Sequence, residues 1–234
     1  MGKLDIAVID YGMGNLRSVD KALEYVSPNA TVRVTADPDE ILSAGRVVFP
    51  GQGAARDCMR EIDARGLREV ISEAARTKPF LGICMGLQVL FEHSEEGDTP
   101  CLGIFKGEVM RFPREAMHDD KGEKLKVPHM GWNNVYQAAT NETSAHPLWA
   151  GIEDGSRFYY VHSYFVQPTT PENVAGFSHY PFPFTSAVAS GNIFAVQFHP
   201  EKSAQAGLTL LGNFITWDPF NAQQSACDMA GTCA

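Results

Sequence analysis

The chain predicts an α/β protein with a largely parallel central sheet, flanked by helices and continued by an antiparallel extension. Two patterns carry this expectation. Up to about residue 90, short apolar runs of strand length alternate with apolar residues at helical spacing, the signature of parallel strands covered on both faces. From Gly107 to Val196 the pattern changes to short β-rich runs separated by Pro, Gly and Asn, as antiparallel strands require. A length of 234 residues, 44% hydrophobic and 20% charged, can bury one sizeable core and falls outside the disordered range.

The elements follow in order. Leu4 to Ile9 is a β-branched apolar run ending at Asp10, and the Gly12/Gly14 pair supplies a tight turn. Leu16, Val19, Leu23 and Val26 lie at helical spacing, and Thr31 to Val34 reads as a second strand. A short helix starts from Asp37 with Pro38 at its first position, where the missing N–H costs nothing. Arg46 to Phe49 is a buried strand that stops at Pro50-Gly51. Ile62, Leu67, Val70, Ile71 and Ala74 then form one helical stripe. Phe80 to Ile83 is the next strand, followed by the helical positions Leu87, Leu90 and Phe91. Val109 to Phe112, Asn134 to Tyr136, Phe158 to Val161, Ala187 to Ala189 and Ile193 to Val196 are the β-rich runs, and Leu208 to Phe214 is a final helix. Residues 1–217 thus read as one domain, with 218–234 a small, polar, loosely held tail.

Several function classes are disfavoured. A formal net charge of −9 argues against nucleic-acid backbones and anionic membranes as partners. No apolar run is long enough to span a bilayer, and no secretory signal opens the chain. Five irregularly spaced cysteines do not suggest a disulfide framework, so a reducing, cytoplasmic setting is expected. No cluster has metal-ligand spacing, and no metal or cofactor is expected.

Gly82-Ile83-Cys84-Met85-Gly86 sits where a buried strand meets a helix, the form of a nucleophile elbow with cysteine in place of serine. Such a turn holds the sulfur above the sheet edge. The helix N-terminus favours a thiolate, and the Met85 N–H is free to meet an oxyanion. Taken alone, the motif fits a small buried hydrophobe about equally well; Cys58, Cys101, Cys227 and Cys233 keep that plain reading. Gln197-Phe198-His199-Pro200-Glu201 follows the last apolar strand. Pro200 favours an extended His199, and residues two apart in extended chain share a side, so Glu201 can orient the imidazole. A solvated surface pair is the alternative. Pro50-Gly51-Gln52-Gly53 is a strand-end loop able to aim a further backbone N–H, or else a plain turn.

Together, in the order P-G-Q-G, G-I-C-M-G-L-Q and F-H-P-E along the chain, these segments resemble the class I glutamine amidotransferases, whose fold is flavodoxin-like. The segments I-D-Y-G-M-G-N-L-R-S, V-P-H-M-G-W-N and Y-V-H-S-Y are similar to one branch, the glutaminase subunits of imidazole glycerol phosphate synthase in histidine biosynthesis. The resemblance runs from the first strand to Phe214. It implies Cys84 as nucleophile, His199 as base and acid, Glu201 as orienter, and the Gln52 and Met85 N–H groups as the oxyanion hole. It also implies L-glutamine binding at Gly51, Gly53, Gln88, Ser163 and Tyr164. Its partner would be a (β/α)₈-barrel cyclase, met as a heterodimer at Trp132 and Lys202. Two departures stand out: Gln52 occupies a position the family fills with a small aliphatic residue, and Met85 and Leu87 exchange the usual order of Leu and Met. Rival readings are a glutaminase serving another pathway, a cysteine peptidase on a related fold, and a non-catalytic regulatory subunit.

Overall fold

The computed structural model describes residues 5–118, 121–141 and 144–220. The first half comprises β1 (Ile6–Ile9), α1 (Leu16–Val26), β2 (Val32–Thr35), α2 (Pro38–Ser43), β3 (Arg46–Gly51), α3 (Ala55–Ala64), α4 (Arg68–Thr77), β4 (Phe80–Cys84) and α5 (Met85–Gln88). The strands β5 (His93–Ser94), β6 (Thr99–Pro100), β7 (Gly107–Arg111), β8 (His129–Asn134), β9 (Tyr136–Gln137), β10 (Ala139–Asn141) and β11 (Ser144–Ala145) follow. Then come β12 (Arg157–His162), β13 (Tyr164–Pro168), β14 (Val174–His179), β15 (Pro183–Ser190), β16 (Ile193–Val196) and helix α6 (Ala204–Thr216).

The order β2-β1-β3-β4-β16-β15-β13-β7-β5-β6 runs across the main sheet, with β14 beside β15 and β9 beside β14. From β2 to β16 every neighbour is parallel; β15, β13 and β7 then pair antiparallel, so the mixed sheet expected from the sequence is present. The parallel strands β1, β4 and β16 are buried at every residue, which is why they read as continuous apolar runs without alternation. Among the described residues no helix is long and apolar enough to cross a membrane.

Local differences from the sequence reading have identifiable causes. The single stripe expected from Ile62 to Ala74 is two helices, because Gly66 takes a left-handed φ of 66° between them. The strand expected to end before Pro50 continues to Gly51, which pairs with Cys84 in the β3–β4 ladder. Helix α5 is a single turn, not the longer helix that Leu90 and Phe91 suggested. The run expected over Asn134 to Tyr136 divides between β8 and β9, and β13 and β14 were not anticipated. Asp37 does cap α2, accepting from the Asp39 and Glu40 N–H groups. Leu4 and tail residues 221–234 lie outside the described residues.

The strands β8 and β12 form a separate two-stranded ribbon held to the body by buried imidazoles. The Tyr164 carbonyl can only accept, so the proton sits on His162 Nδ1 at 2.8 Å. His162 Nε2 must then accept from His129 Nδ1 at 2.9 Å, and His129 Nε2 from Asn133 Nδ2 at 3.3 Å. The two bonds accepted by ring nitrogens need those rings neutral. Burial holds His129 down to about 4. Burial and the adjacent His129 hold His162 at about 3, against the hydrogen bond to Tyr164.

Two predictions come from this packing. A Cβ on Gly86 would lie 1.8 Å from the Phe49 carbonyl oxygen, whereas one on Gly212 in α6 meets nothing within 4 Å. Gly86→Ala should therefore cost about 3 kcal/mol or more, lowering the thermal midpoint by roughly 10 °C, while Gly212→Ala holds or raises it. The second concerns pH. Both histidines titrate near 6.5 when unfolded, so their contribution is complete above that pH and is lost as pH falls toward 4. Calorimetry should show a midpoint about 5–10 °C lower at pH 5 than at pH 7. A folded His129→Gln/His162→Gln variant should lose at least half of that slope, and an unchanged slope rejects the assignment.

Candidate active site

Strand β4 ends in Cys84, whose φ of 56° and ψ of −110° put a non-glycine residue in left-handed space. Such a conformation costs about 1–3 kcal/mol and persists only where the surroundings enforce it. Here three glycines do so. Gly86 passes under the Phe49 carbonyl, Gly82 under the Gly86 carbonyl and the Ala195 methyl, and Gly51 against the Tyr11 hydroxyl and Met85. Gly51 is needed for close approach, and the left-handed glycine of that loop is Gly53, at φ 96°. Because α5 is a single turn, its dipole gives the sulfur less support than the sequence suggested.

The chain leaving β16 alternates. Phe198 packs into the core 4.2 Å from the Phe158 ring, while Gln197 and His199 on either side of it face Cys84. His199 Nδ1 lies 2.9 Å from Glu201 Oε1, both side chains being buried. This pairing arises in a 3₁₀ turn over Pro200–Lys202, not in the fully extended segment that Pro200 implied. Two bonds fix the turn to the ribbon: the His199 N–H donates to the Tyr159 carbonyl at 2.9 Å, and the Ser203 hydroxyl accepts from the Tyr159 N–H at 3.0 Å. Burial opposes charge on His199, but the Cys84 sulfur and the Glu201 carboxylate outweigh it and push the imidazole up to about 10. His199 Nε2 makes no well-formed hydrogen bond and is buried. By contrast, burial pushes the Cys58 and Cys101 thiols up to about 11, as expected of inert core cysteines. Cys227 and Cys233 lie outside the described residues.

Cys84 and His199 open into a cavity of about 550 Å³. Gln52, Gly53, Met85, Gln88, Ser163 and Tyr164 also line it. Glu201 stands behind His199, and Gly51 lies in β3 beside Cys84. The Gln52 carbonyl turns away toward α3, where the Cys58 thiol donates to it at 3.5 Å. Gln88 spends both amide protons, on the Tyr164 carbonyl at 3.2 Å and on Gln197 Oε1 at 2.9 Å, so its own Oε1 is buried with no partner. Glu96 is a lining residue the sequence reading missed, and nothing local distinguishes it in a run of acidic loop residues. Gln197 was also missed, although its two-residue spacing from His199 was a usable signal. Among the described residues no group of His, Cys, Asp and Glu could hold a metal.

Trp132 and Lys202 meet beside this cavity through one ring. The Trp132 indole lies edge-on to Tyr159 at 6.1 Å, and Lys202 Nζ stands 6.0 Å above the same ring. Trp132 is 44% exposed and Met130, on the same ribbon face, 63% exposed.

Comparison with known proteins is consistent along the whole chain. The model of the family "Glutamine amidotransferase class-I" matches residues 7–216. Proteins called "Imidazole glycerol phosphate synthase subunit HisH" are 77% identical in Thiobacillus denitrificans, covering 99% of each chain, and 64% identical in Dechloromonas aromatica, covering 92% of this chain and 97% of that one. Among solved structures, PurLQS from Thermotoga maritima aligns with a TM-score of 0.64 at 20% identity, over 92% of this chain and 98% of that one. The glutaminase domain of Trypanosoma brucei CTPS aligns with a TM-score of 0.58 at 17% identity, over 92% and 95%. These two likenesses concern the fold. With a family model covering nearly every described element and relatives this close over their full length, the chain belongs to the class I glutamine amidotransferases, in the branch of the HisH subunits of imidazole glycerol phosphate synthase.

Proposed function

We propose that Cys84, His199 and Glu201 hydrolyse L-glutamine to glutamate and ammonia, and that the ammonia passes to a cyclase subunit in histidine biosynthesis. The observation that carries this reading is the 2.9 Å bond from His199 Nδ1 to Glu201, which leaves Nε2 toward the cavity that Cys84 lines. With the imidazole raised to about 10, His199 keeps its proton across the neutral range and faces the Cys84 sulfur as a pair.

The chemistry follows from that pair. The sulfur attacks the side-chain amide carbon of glutamine. The C–N bond breaks as the imidazolium gives its proton to nitrogen, and ammonia leaves a glutamyl thioester. Neutral His199 then takes a proton from water, the water oxygen bonds to the carbonyl carbon, the S–C bond breaks, and glutamate departs. The Gln52 and Met85 N–H groups receive the oxyanion in both steps, each contributing about 3–4 kcal/mol. Gln88 Oε1 and the Glu96 carboxylate suit the substrate's α-ammonium, and the Ser163–Tyr164 backbone with Gly51 and Gly53 shapes the remainder of the pocket. Residues 1–217 act as one glutaminase domain. Three free buried cysteines among the described residues, Cys58, Cys84 and Cys101, suit a reducing cytoplasm.

Free ammonia protonates in bulk water, so its use requires a docked partner and a protected path. The reading assigns that docking, to a (β/α)₈-barrel cyclase in a heterodimer, to the exposed Trp132 and Lys202 beside the cavity mouth.

The tests are direct. Cys84→Ala should abolish glutamate release in a coupled glutamate dehydrogenase assay, and wild-type turnover in that variant ends the proposal. Glu201→Gln should lower kcat about 10²–10⁴-fold, since the imidazole loses the charge that orients it. Glutaminase activity should be weak in the isolated chain and rise on adding the cyclase subunit, and Trp132→Ala should raise the Kd for that subunit about tenfold or more.

A further inference from the structure

We infer that Gln197 is a second, non-titrating partner of the Cys84 sulfur, donating an N–H to the thiolate and at the same time fixing which way Gln88 presents its amide to the substrate. The inference rests on the reading of Cys84 as nucleophile and extends it to a residue outside the triad.

Hydrogen-bond polarity decides how these amides are turned. Gln197 is fully buried, and its amide lies between Cys84 and Gln88. A backbone carbonyl only accepts, so the Gln88 atom 3.2 Å from the Tyr164 carbonyl must be its nitrogen. The second proton on that nitrogen reaches Gln197 at 2.9 Å, so the Gln197 atom there must be oxygen. The Gln197 nitrogen is thereby left pointing at Cys84, 3.8 Å from Sγ. Rotating either amide by half a turn would oppose like atoms somewhere in the chain. The direction of the whole series is thus set by a main-chain group, not by the side chains themselves.

Two consequences differ in kind. An N–H aimed at sulfur favours the thiolate over the thiol, because the charged acceptor makes the stronger bond. His199 supplies a proton that moves during the reaction, whereas Gln197 supplies one that stays. At the other end, the same polarity leaves Gln88 Oε1 as the free atom of its amide, buried, unpartnered and on a residue that lines the cavity. Substrate affinity and sulfur ionisation therefore share one side chain.

The experiment is the pH dependence of Cys84 alkylation by iodoacetamide, followed on the Cys84 peptide by mass spectrometry. In Gln197→Met, of similar length but without a donor, the midpoint should rise by about one unit, making alkylation about tenfold slower below it. The KM for glutamine should rise as well. Gln197→Glu keeps the volume, still accepts from Gln88 and turns a carboxylate toward sulfur, so its midpoint should rise further. A merely structural role would lower the thermal midpoint and leave the alkylation midpoint where it was. Wild-type protein supplies a reading that needs no variant: the Gln197 side-chain amide resonances should shift with the same midpoint as Cys84 alkylation. Unchanged midpoints in a folded variant, or amide resonances indifferent to Cys84 ionisation, overturn the inference. Cys84→Ala separates the two readings. If it retains glutaminase activity the nucleophile assignment fails, whereas if it is inactive while Gln197→Met titrates as wild type, only the Gln197 inference falls.

Discussion

The contact between Gly86 and the Phe49 carbonyl governs the rest of the molecule's geometry. Strands β3 and β4 run side by side and both end at the same edge, so the turn after β4 must fold back over the end of β3. It does so with no room for a side chain at Gly86 or Gly51. That pressure holds Cys84 in a backbone conformation it would not choose, and lifts its sulfur clear of the sheet. The same edge receives β16, which lies parallel on the other side of β4 and delivers Gln197 and His199 to one place. Residues far apart in sequence meet because parallel strands end together, a general reason why open α/β sheets place their chemistry at the carboxyl edge.

The Tyr164 carbonyl organises the polar interior. It receives Gln88 from one direction and His162 from another, and because it can only accept, it orients both series that converge on it. One series is made of amides and ends at sulfur; the other is made of imidazoles and ends at Asn133 in the ribbon. Burial reinforces the second series by keeping His129 and His162 neutral, so the charged ring beside Cys84 is His199. Ring type does not decide this difference. The Cys84 sulfur and the Glu201 carboxylate do, since the other two histidines have neither against them.

How far the sequence could be read depended on the range of the signal. Buried parallel strands such as Ile193–Val196 announce themselves through unbroken apolar runs, and Asp37-Pro38 marks a helix start through local chemistry. The elbow glycines around Cys84 were legible for the same reason, though their roles as spacers against Phe49 and Ala195 depend on neighbouring strands and could not be read locally. The break at Gly66 was visible but outweighed by apolar residues on both sides that happened to keep step. Strands β13 and β14 carry mixed faces and took their pairing from partners elsewhere in the chain. Glu96 lies in a loop, so only its fold neighbours bring it to the cavity. Gln197 obeyed the same alternation as His199, but an amide attracts less notice than an imidazole.

The ribbon of β8 and β12 is fastened to the His199 turn by bonds in which Tyr159 takes part only through its main chain. Natural variation can therefore rewrite the outward side chains of the ribbon, Met130 and Trp132 included, without disturbing the perch of the imidazole. The outward side chains of that face can thus diverge while the groups around the cavity stay where they are, since surface and site are held by different atoms of the ribbon.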